Sequence, residues 1–506
     1  MSGTDQQAGA VVTRAQVGFR SERGPVLIAL MLSTSLVALD STIIATAVPS
    51  IVKDLGGFAA FPWLFSVYLL TQAVTTPIYG KLADIVGRKP VMLFGITVFL
   101  IGSVLAGTAW SMGALIAFRA VQGIGAGAVQ PMSMTIAGDI YTTVERGKVQ
   151  GYLASVWGIS AVVGPTLGGV FAEYLSWRWI FFVNIPLCIL ALWMLMRRFH
   201  ETVTRRAHKL DYAGALLLTG GCTLLILGLL EGGEAWSWAS ATGILVLVAG
   251  VVLLAAFVLV EQRAAEPVLP LWVLRHRVLL TGCLVALGIG ATLIGLTSYV
   301  PTYVQGVLGS GPLIAGFALA TLTIGWPLTA AQSSKLYLRY GFRPTALIGG
   351  VVVIIGSVLV YVVTEDPSVA AVAGACFVVG AGMGFVAAPT LIAAQSTVGW
   401  SERGVVTGTN MFSRSIGSAI GVALFGAIAN AALGQGSTHT AAVLSTASQH
   451  VFFGVVVLAV LTGVAVYAMP SVRVSPQPPR AMAVPTPTGS AAPAVQGSVT
   501  PVAGGE

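Results

Sequence analysis

The feature that most constrains this chain is a near-unbroken succession of apolar runs. Each is about 20 residues long, the length a helix needs to cross a hydrocarbon core. Fourteen runs are marked along the 506 residues, with approximate limits 26–48, 62–80, 91–110, 112–132, 151–172, 180–197, 212–230, 241–261, 279–299, 312–332, 344–363, 369–393, 406–430 and 449–469. In hydrocarbon every backbone N–H and C=O must be bonded within the protein, which leaves only helices or closed barrels. Barrel strands would appear as alternating segments of about ten residues; these runs are longer and do not alternate. The predicted fold class is an all-α integral membrane protein. Only 9% of residues are charged, against about 25% in a soluble domain.

The placement of charge orients the chain. With the N-terminus in the cytoplasm, 22 of the 26 Lys and Arg fall in segments on that side. Lys53 and Arg178 fall outside, and Arg119 and Arg414 lie within runs. Positive charge collects on the cytoplasmic side of membrane proteins, so both termini are expected in the cytoplasm and the span count is even. The net charge of +8 is then loop asymmetry, and no nucleic-acid partner is expected. The first run is too long for a signal-peptide core and stays as a span. Residues 471–506 are rich in Pro, Ala, Gly, Ser and Thr; they cannot bury a core and are predicted to form a disordered cytoplasmic tail. Cys188, Cys222, Cys283 and Cys376 lie in apolar runs without CxxC spacing, and the histidines are scattered, so no disulfide or metal site is expected.

The chain repeats itself. The segment Gly80-Lys-Leu-Ala-Asp-Ile-Val-Gly-Arg-Lys-Pro90 breaks two apolar runs and reads as a tight charged loop at the membrane surface. A degraded copy, Ser334-Lys-Leu-Tyr-Leu-Arg-Tyr-Gly-Phe-Arg-Pro344, follows 254 residues later. Glu145-Arg-Gly-Lys-Val-Gln-Gly151 is echoed by Glu402-Arg-Gly-Val-Val-Thr-Gly408, and Gly123-x-Gly-x-Gly127 by Gly380-x-Gly-x-Gly384, both 257 residues on. The predicted organisation is an N-terminal tail (1–25), a six-helix half (26–198), an inserted two-helix linker (199–278), a second six-helix half (279–470) and the tail (471–506). Such repeats place a substrate site between the halves near the bilayer midplane. Gly123-x-Gly-x-Gly127 lies inside a span, so a dinucleotide reading fails on context. No P-loop, HExxH or nucleophile elbow occurs. An enzyme is not expected, and any work must draw on an ion gradient or on the substrate's own gradient.

Ionisable residues within spans carry the chemistry, because each costs about 2.5–3.5 kcal/mol there. Asp40 is the one acid well inside a span. Burial favours its neutral form and a nearby cation favours its charged form, a competition that suits a proton carrier; the other reading is a carboxylate tying helices together. Arg119 cannot lose its charge, and Asp40 is its economical partner. Arg414 has no membrane-embedded acid in its own half, so structural and functional roles stay open. Asp139 and Glu173, at run ends, are read as solvated. Asp84 and Arg88 are four apart; Asp84 is placed to meet the N-terminus of a neighbouring helix and a facing Arg, a latch of surface contacts worth about 0–1 kcal/mol each. Gly158, Gly164, Pro165, Gly168 and Gly169 put small residues along one face of the fifth span, where close packing and a proline kink suit a moving interface. Gln72, Gln122, Gln130, Asn410 and Arg414 are candidates to line a cavity.

These motifs together resemble the major facilitator superfamily, and within it the fourteen-helix drug:proton antiporters, over residues 25–470. Residues 80–90 look like the loop signature GxLaDrxGrkxx. Residues 115–127 resemble the span-4 signature. Residues 158–169 resemble the exporter signature gxxxGPxxGG, and residues 39–49 resemble LDxTIVNVALP. The resemblance implies that Asp40 is the protonatable acid and that Arg119 assists it. It implies that Gly80, Asp84, Gly87, Arg88 and Lys89 form a cytoplasmic gate, and that Gly164 and Pro165 serve the conformational change. Ala45 stands where the pattern has Asn, and Leu338 stands where the second hairpin would have Asp. Asn410 and Arg414 occupy the stretch that carries an extra acid in exporters of dications, which points to neutral, anionic or monocationic lipophiles. The expected protein is a monomeric proton-coupled exporter of lipophilic small molecules in the cytoplasmic membrane. It would need no cofactor beyond the coupling proton. A dedicated exporter or flippase of a natural product, lipid or siderophore, and a non-transporting sensor or assembly partner, are the alternatives.

Overall fold

A computed structural model of the chain describes residues 17–56, 63–201, 211–232, 236–237, 239–264, 267, 269, 271–364, 368–433 and 441–472. The expected disordered tail therefore lies almost wholly outside the described residues, as does most of the N-terminal one. The helices, in order, are α1 (Gly24–Leu55), α2 (Trp63–Val86), α3 (Arg88–Gly107), α4 (Met112–Ile140), α5 (Thr143–Val170), α6 (Trp179–Phe182), α7 (Asn184–Arg198), α8 (Tyr212–Glu231) and α9 (Ala241–Glu261). They continue with α10 (Trp272–Arg275), α11 (Arg277–Gly306), α12 (Pro312–Tyr340), α13 (Phe342–Val362), α14 (Val369–Ser396), α15 (Arg403–Leu433) and α16 (Ala441–Tyr467).

Helix ends fall where the sequence supplies start and stop chemistry. α5 opens on a reciprocal cap, with Thr142 accepting from the Glu145 N–H and Glu145 returning to the Thr142 N–H; this satisfies two donors that a helix start leaves bare. Ser111, Asp211 and Ser240 cap α4, α8 and α9 in the simpler way. The charged segment 80–90 is not the loop expected. α2 runs helical through Val86 and α3 starts at Arg88, so Gly87 alone makes the break, with φ at 102°. Gly341, at φ 93°, separates α12 from α13 in the same way. Backbone at positive φ strains any side chain but glycine's bare hydrogen, which is why glycine recurs at this point in both copies.

Twelve helices among the described residues are long and apolar enough to cross a membrane. The sequence count of fourteen differs by α2 and α8. α2 is diluted by Thr71, Gln72, Thr75, Thr76, Lys81 and Asp84, and α8 is apolar only over Ala213–Leu229.

α1 packs on α4, α5 and α7, α2 on α4, and α3 on α4 and α7. α11 packs on α12, α14, α15 and α16, α14 on α12 and α13, and α13 on α16. Each group encloses its own apolar core. The groups meet where α2 lies along α15 and α5 along α12. α8 packs on α9 and against both α2 and α15, and Leu218, Cys222 and Ile226 of α8 share a cluster with Leu70 and Val74 of α2 and Phe412 of α15.

Candidate functional site

Four helices converge on Asp40. Its carboxylate, 1% exposed as a residue, accepts from Arg119 Nη1 of α4 at 2.5 Å and from Gln122 Nε2 at 2.8 Å. Asn184 Nδ2 of α7 lies at 3.5 Å. Arg119 also donates to the Leu64 carbonyl of α2 at 3.0 Å and to Gln122 Oε1 at 2.7 Å, and its guanidinium lies 4.1 Å from the Tyr68 ring centroid. Gln122 Nε2 donates in addition to the Ser103 hydroxyl of α3 at 2.8 Å. The cluster is an acid and a permanent cation held by fixed amides and a π face. Removing one partner of such a buried pair strands a charge, at about 3–5 kcal/mol. Asn184 Oδ1 is buried with no protein partner.

Gln122 is fully buried and committed to the acid, so it faces no open cavity. Asn410 is likewise committed, donating from α15 to the Gly282 carbonyl of α11 at 3.1 Å. Gln130 is 7% exposed, and Gln72 is half-buried. Ser103, Tyr68 and Asn184 were not singled out from the sequence. Asn184 carried a signal, as an amide inside the apolar run 180–197; Ser103 and Tyr68 carried none.

A second cluster sits at the end of the bundle where α2 meets α3. Asp84 accepts from Arg88 Nη2 at 2.7 Å, from the Gly404 N–H at 2.9 Å and from the Val405 N–H at 2.7 Å. It thus caps α15, where bare N–H groups and the helix dipole favour an anion. Arg88 is fully buried. It donates to Asp139 at 3.0 Å and to the Trp400 carbonyl, and stacks 3.7 Å from the Trp400 ring centroid. Arg403 of α15 donates to the other Asp139 oxygen at 3.0 Å. Two sequence expectations change. Asp139 is a buried hub between two arginines, not a solvated end, and the latch is desolvated, so the surface value of about 0–1 kcal/mol does not apply. Glu173 is exposed. Lys89 donates to the Phe199 carbonyl at 2.5 Å and the Met196 carbonyl at 3.0 Å, at the C-terminus of α7. Glu201 caps α3 through the Arg88 and Lys89 N–H groups.

The backbones come together at the same place. A Cβ on Gly80 would stand 2.7 Å from the Gly404 carbonyl, and one on Gly404 would stand 2.5 Å from that of Gly80. The small residues of α5 do not share one face as expected. Gly158 faces α12 at the Thr323 carbonyl, whereas Gly164 faces α1 at Thr42. Gly168 is buried and Gly169 half-buried. Pro165 lies on the same helix, with its side chain outside what is described. At the opposite end of α1, Arg178 and then the Trp177 indole bond to Asp54 and hold its carboxyl below the usual range.

The model of the Major Facilitator Superfamily matches residues 30–422. Multidrug resistance protein 3 of Bacillus subtilis (strain 168) is 36% identical over 403 residues, covering 80% of this chain and 79% of its own. Multidrug transporter protein MdtP of the same organism is 33% identical over 418 residues, covering 83% and 77%. The crystal structure of the human organic anion transporter MFSD10 superposes with a TM-score of 0.64 over 88% of this chain and 99% of that one. At 15% identity that likeness shows the fold alone. The chain is a membrane transporter and belongs to the Major Facilitator Superfamily.

Proposed function

We propose that this transporter exports lipophilic small molecules across the cytoplasmic membrane in exchange for protons, by alternating access. One observation carries the reading: Asp40, buried and paired with the permanently charged Arg119. Ionised, the acid neutralises the arginine. Protonated, it leaves the arginine to the Leu64 carbonyl, Gln122 and the Tyr68 ring. Proton binding at this one carboxyl removes the counter-ion of Arg119 and so alters contacts among α1, α2, α4 and α7. The orphan Asn184 oxygen supplies an acceptor, since a flip of that amide turns Oδ1 toward the proton. The likeness to the multidrug proteins of Bacillus subtilis supports the substrate class.

In this scheme a monomer has fourteen spans, with α2 and α8 completing the count and α8–α9 inserted between the halves. Both termini are cytoplasmic. The Asp84–Arg88–Asp139–Arg403 cluster closes the cytoplasmic end while Asp40 takes its proton from outside. Opening that end lets the proton leave and the substrate enter. Efflux into inverted vesicles under an imposed pH gradient tests this. Asp40→Asn abolishes gradient-driven dye movement in this scheme, and uncoupler-sensitive movement equal to the parent's would sink it.

A further inference from the structure

Arg414 is the deep cation that neither cluster uses. It lies at the middle of α15, on the side turned to α11. A Cβ on Gly290 of α11 would collide with the Arg414 carbonyl, one on Gly417 would collide with Leu287, and Ser418 donates to the Gly290 carbonyl at 3.2 Å. Phe412 and Ala419 instead face the apolar cluster with α2 and α8, and Ile420 and Leu424 are exposed on the outer surface. Arg414 is half-buried between these faces.

Arg88, Arg119, Arg146 and Arg403 each bond to a carboxylate or carbonyl. The Arg414 guanidinium makes no hydrogen bond, ion pair or ring contact among the described residues. The helices of its own half supply no counter-ion, because α11–α16 contain no Asp or Glu. The deep acid of the other half, Asp40, is already committed to Arg119 and Gln122. Arginine stays charged at any accessible pH, and an ionisable group at this depth is costly unless paired.

We infer that the missing partner is the substrate: Arg414 binds the head group of a monoanionic amphiphile, a carboxylate or sulfonate on an apolar body. The inference deepens the export reading and rests on it. The planar fork of the guanidinium matches two oxygens of such a head group. Selection for one negative charge then comes from the second half, while the proton is carried in the first.

Two dyes that differ by a sulfonate test this. These are 8-anilinonaphthalene-1-sulfonate and neutral N-phenyl-1-naphthylamine, bound to the full chain in lipid nanodiscs. The parent binds the sulfonate saturably. Arg414→Gln weakens it by about tenfold or more, whereas Arg414→Lys, keeping the charge, loses only about threefold. Binding of the neutral dye stays within about twofold in both variants, which also reports that they fold. Equal losses for the two dyes in Arg414→Gln, or no saturable sulfonate binding by the parent, overturn the inference. The proton-coupling role of Asp40 fails separately, if Asp40→Asn still drives uncoupler-sensitive efflux of either dye at the parent's rate; the export reading fails if the parent moves neither dye.

Discussion

The two seams that join the halves at the end of the bundle where α2 meets α3 occupy matching positions of the repeat, yet they are held differently. In one, α15 starts against α2, with Gly404 against Gly80. In the other, α5 starts against α12, where a Cβ on Gly147 would stand 2.7 Å from that of Ser334. Gly147 and Gly404 correspond in the repeat, as do Gly80 and Ser334. The backbone approach is thus shared, but the helix caps are not. α5 caps itself through Thr142 and Glu145. The position matching Thr142 is Gly399, which has no side chain to cap α15, and Asp84 reaches across from α2 to do it. The position matching Asp84 is Leu338, and the polar contact across the second seam is the Tyr337 hydroxyl donating to the Thr143 carbonyl. Each helix start finds a cap. Only the cap of α15 crosses between the halves, so an asymmetric charged contact is laid on a symmetric steric one.

The largest difference between the seams is expected on removal of the central charge. Arg88→Gln leaves Asp84 with only the Gly404 and Val405 N–H groups and Asp139 with Arg403 alone. The expected cost is about 3–5 kcal/mol, read as a large fall in Tm of the purified protein. Tyr337→Phe removes one hydroxyl contact at the other seam and costs about 0.5–1.5 kcal/mol. Equal falls in Tm would mean that the seams do not differ in kind.

The shared part of the comparison predicts a smaller and matched effect. Gly404→Ala and Gly147→Ala each force the paired helices apart, at about 1–3 kcal/mol. Both should slow transport and shift cross-linking between the halves. Full tolerance of one alone would deny that the steric contact is common to both seams. Below this lies the exchange of caps. Thr142→Ala costs about 0.5–2 kcal/mol and acts on α5 only. Asp84→Asn impairs switching more than substrate binding. Equal losses of dye binding and of transport rate in Asp84→Asn would count against this division.

The smallest effect belongs to the exposed pair at the far end. The Asp54 carboxyl is held below its usual value of 3.8 by Arg178 first and the Trp177 indole second. The contribution of this pair is therefore fully present above pH 3.8 and is lost as pH falls through the lowered folded value. A fluorescence titration of the parent should show an acid transition that Asp54→Asn removes. The pair is half-exposed, so its loss should leave Tm near neutral pH almost unchanged. A fall as large as that of Arg88→Gln would remove burial as the reason the latch matters.

Much of the molecule is legible in its residues. Twelve of the fourteen expected spans follow from apolar length, and the repeats at 80–90 and 334–344 point to two related halves. Asp40 and Arg119 stand out because charge in a membrane is expensive. Asp139 did not stand out, because an acid at the end of a run looks the same whether water or two arginines surround it. The segment 80–90 is not a loop for a related reason: its charges imply an aqueous surface, yet neighbouring helices bury the side chains of Arg88 and Asp84 and leave Lys81 and Lys89 half-buried. Gly158 and Gly164 looked collinear only while their partners, α12 and α1, were unknown.

Residue types alone set what each segment must avoid. Long apolar helices cannot leave backbone groups unpaired in lipid, and a deep Arg must find an acceptor. Which partner satisfies each demand was decided only by the tertiary structure. It gave Asp40 to Arg119, Asp84 to α15 and Asp139 to Arg88 and Arg403, and it left Arg414 unpaired within the described protein. The physical reason is that a burial cost is local to one residue, whereas its compensation comes from groups tens to hundreds of positions away, brought within hydrogen-bond reach by helix packing.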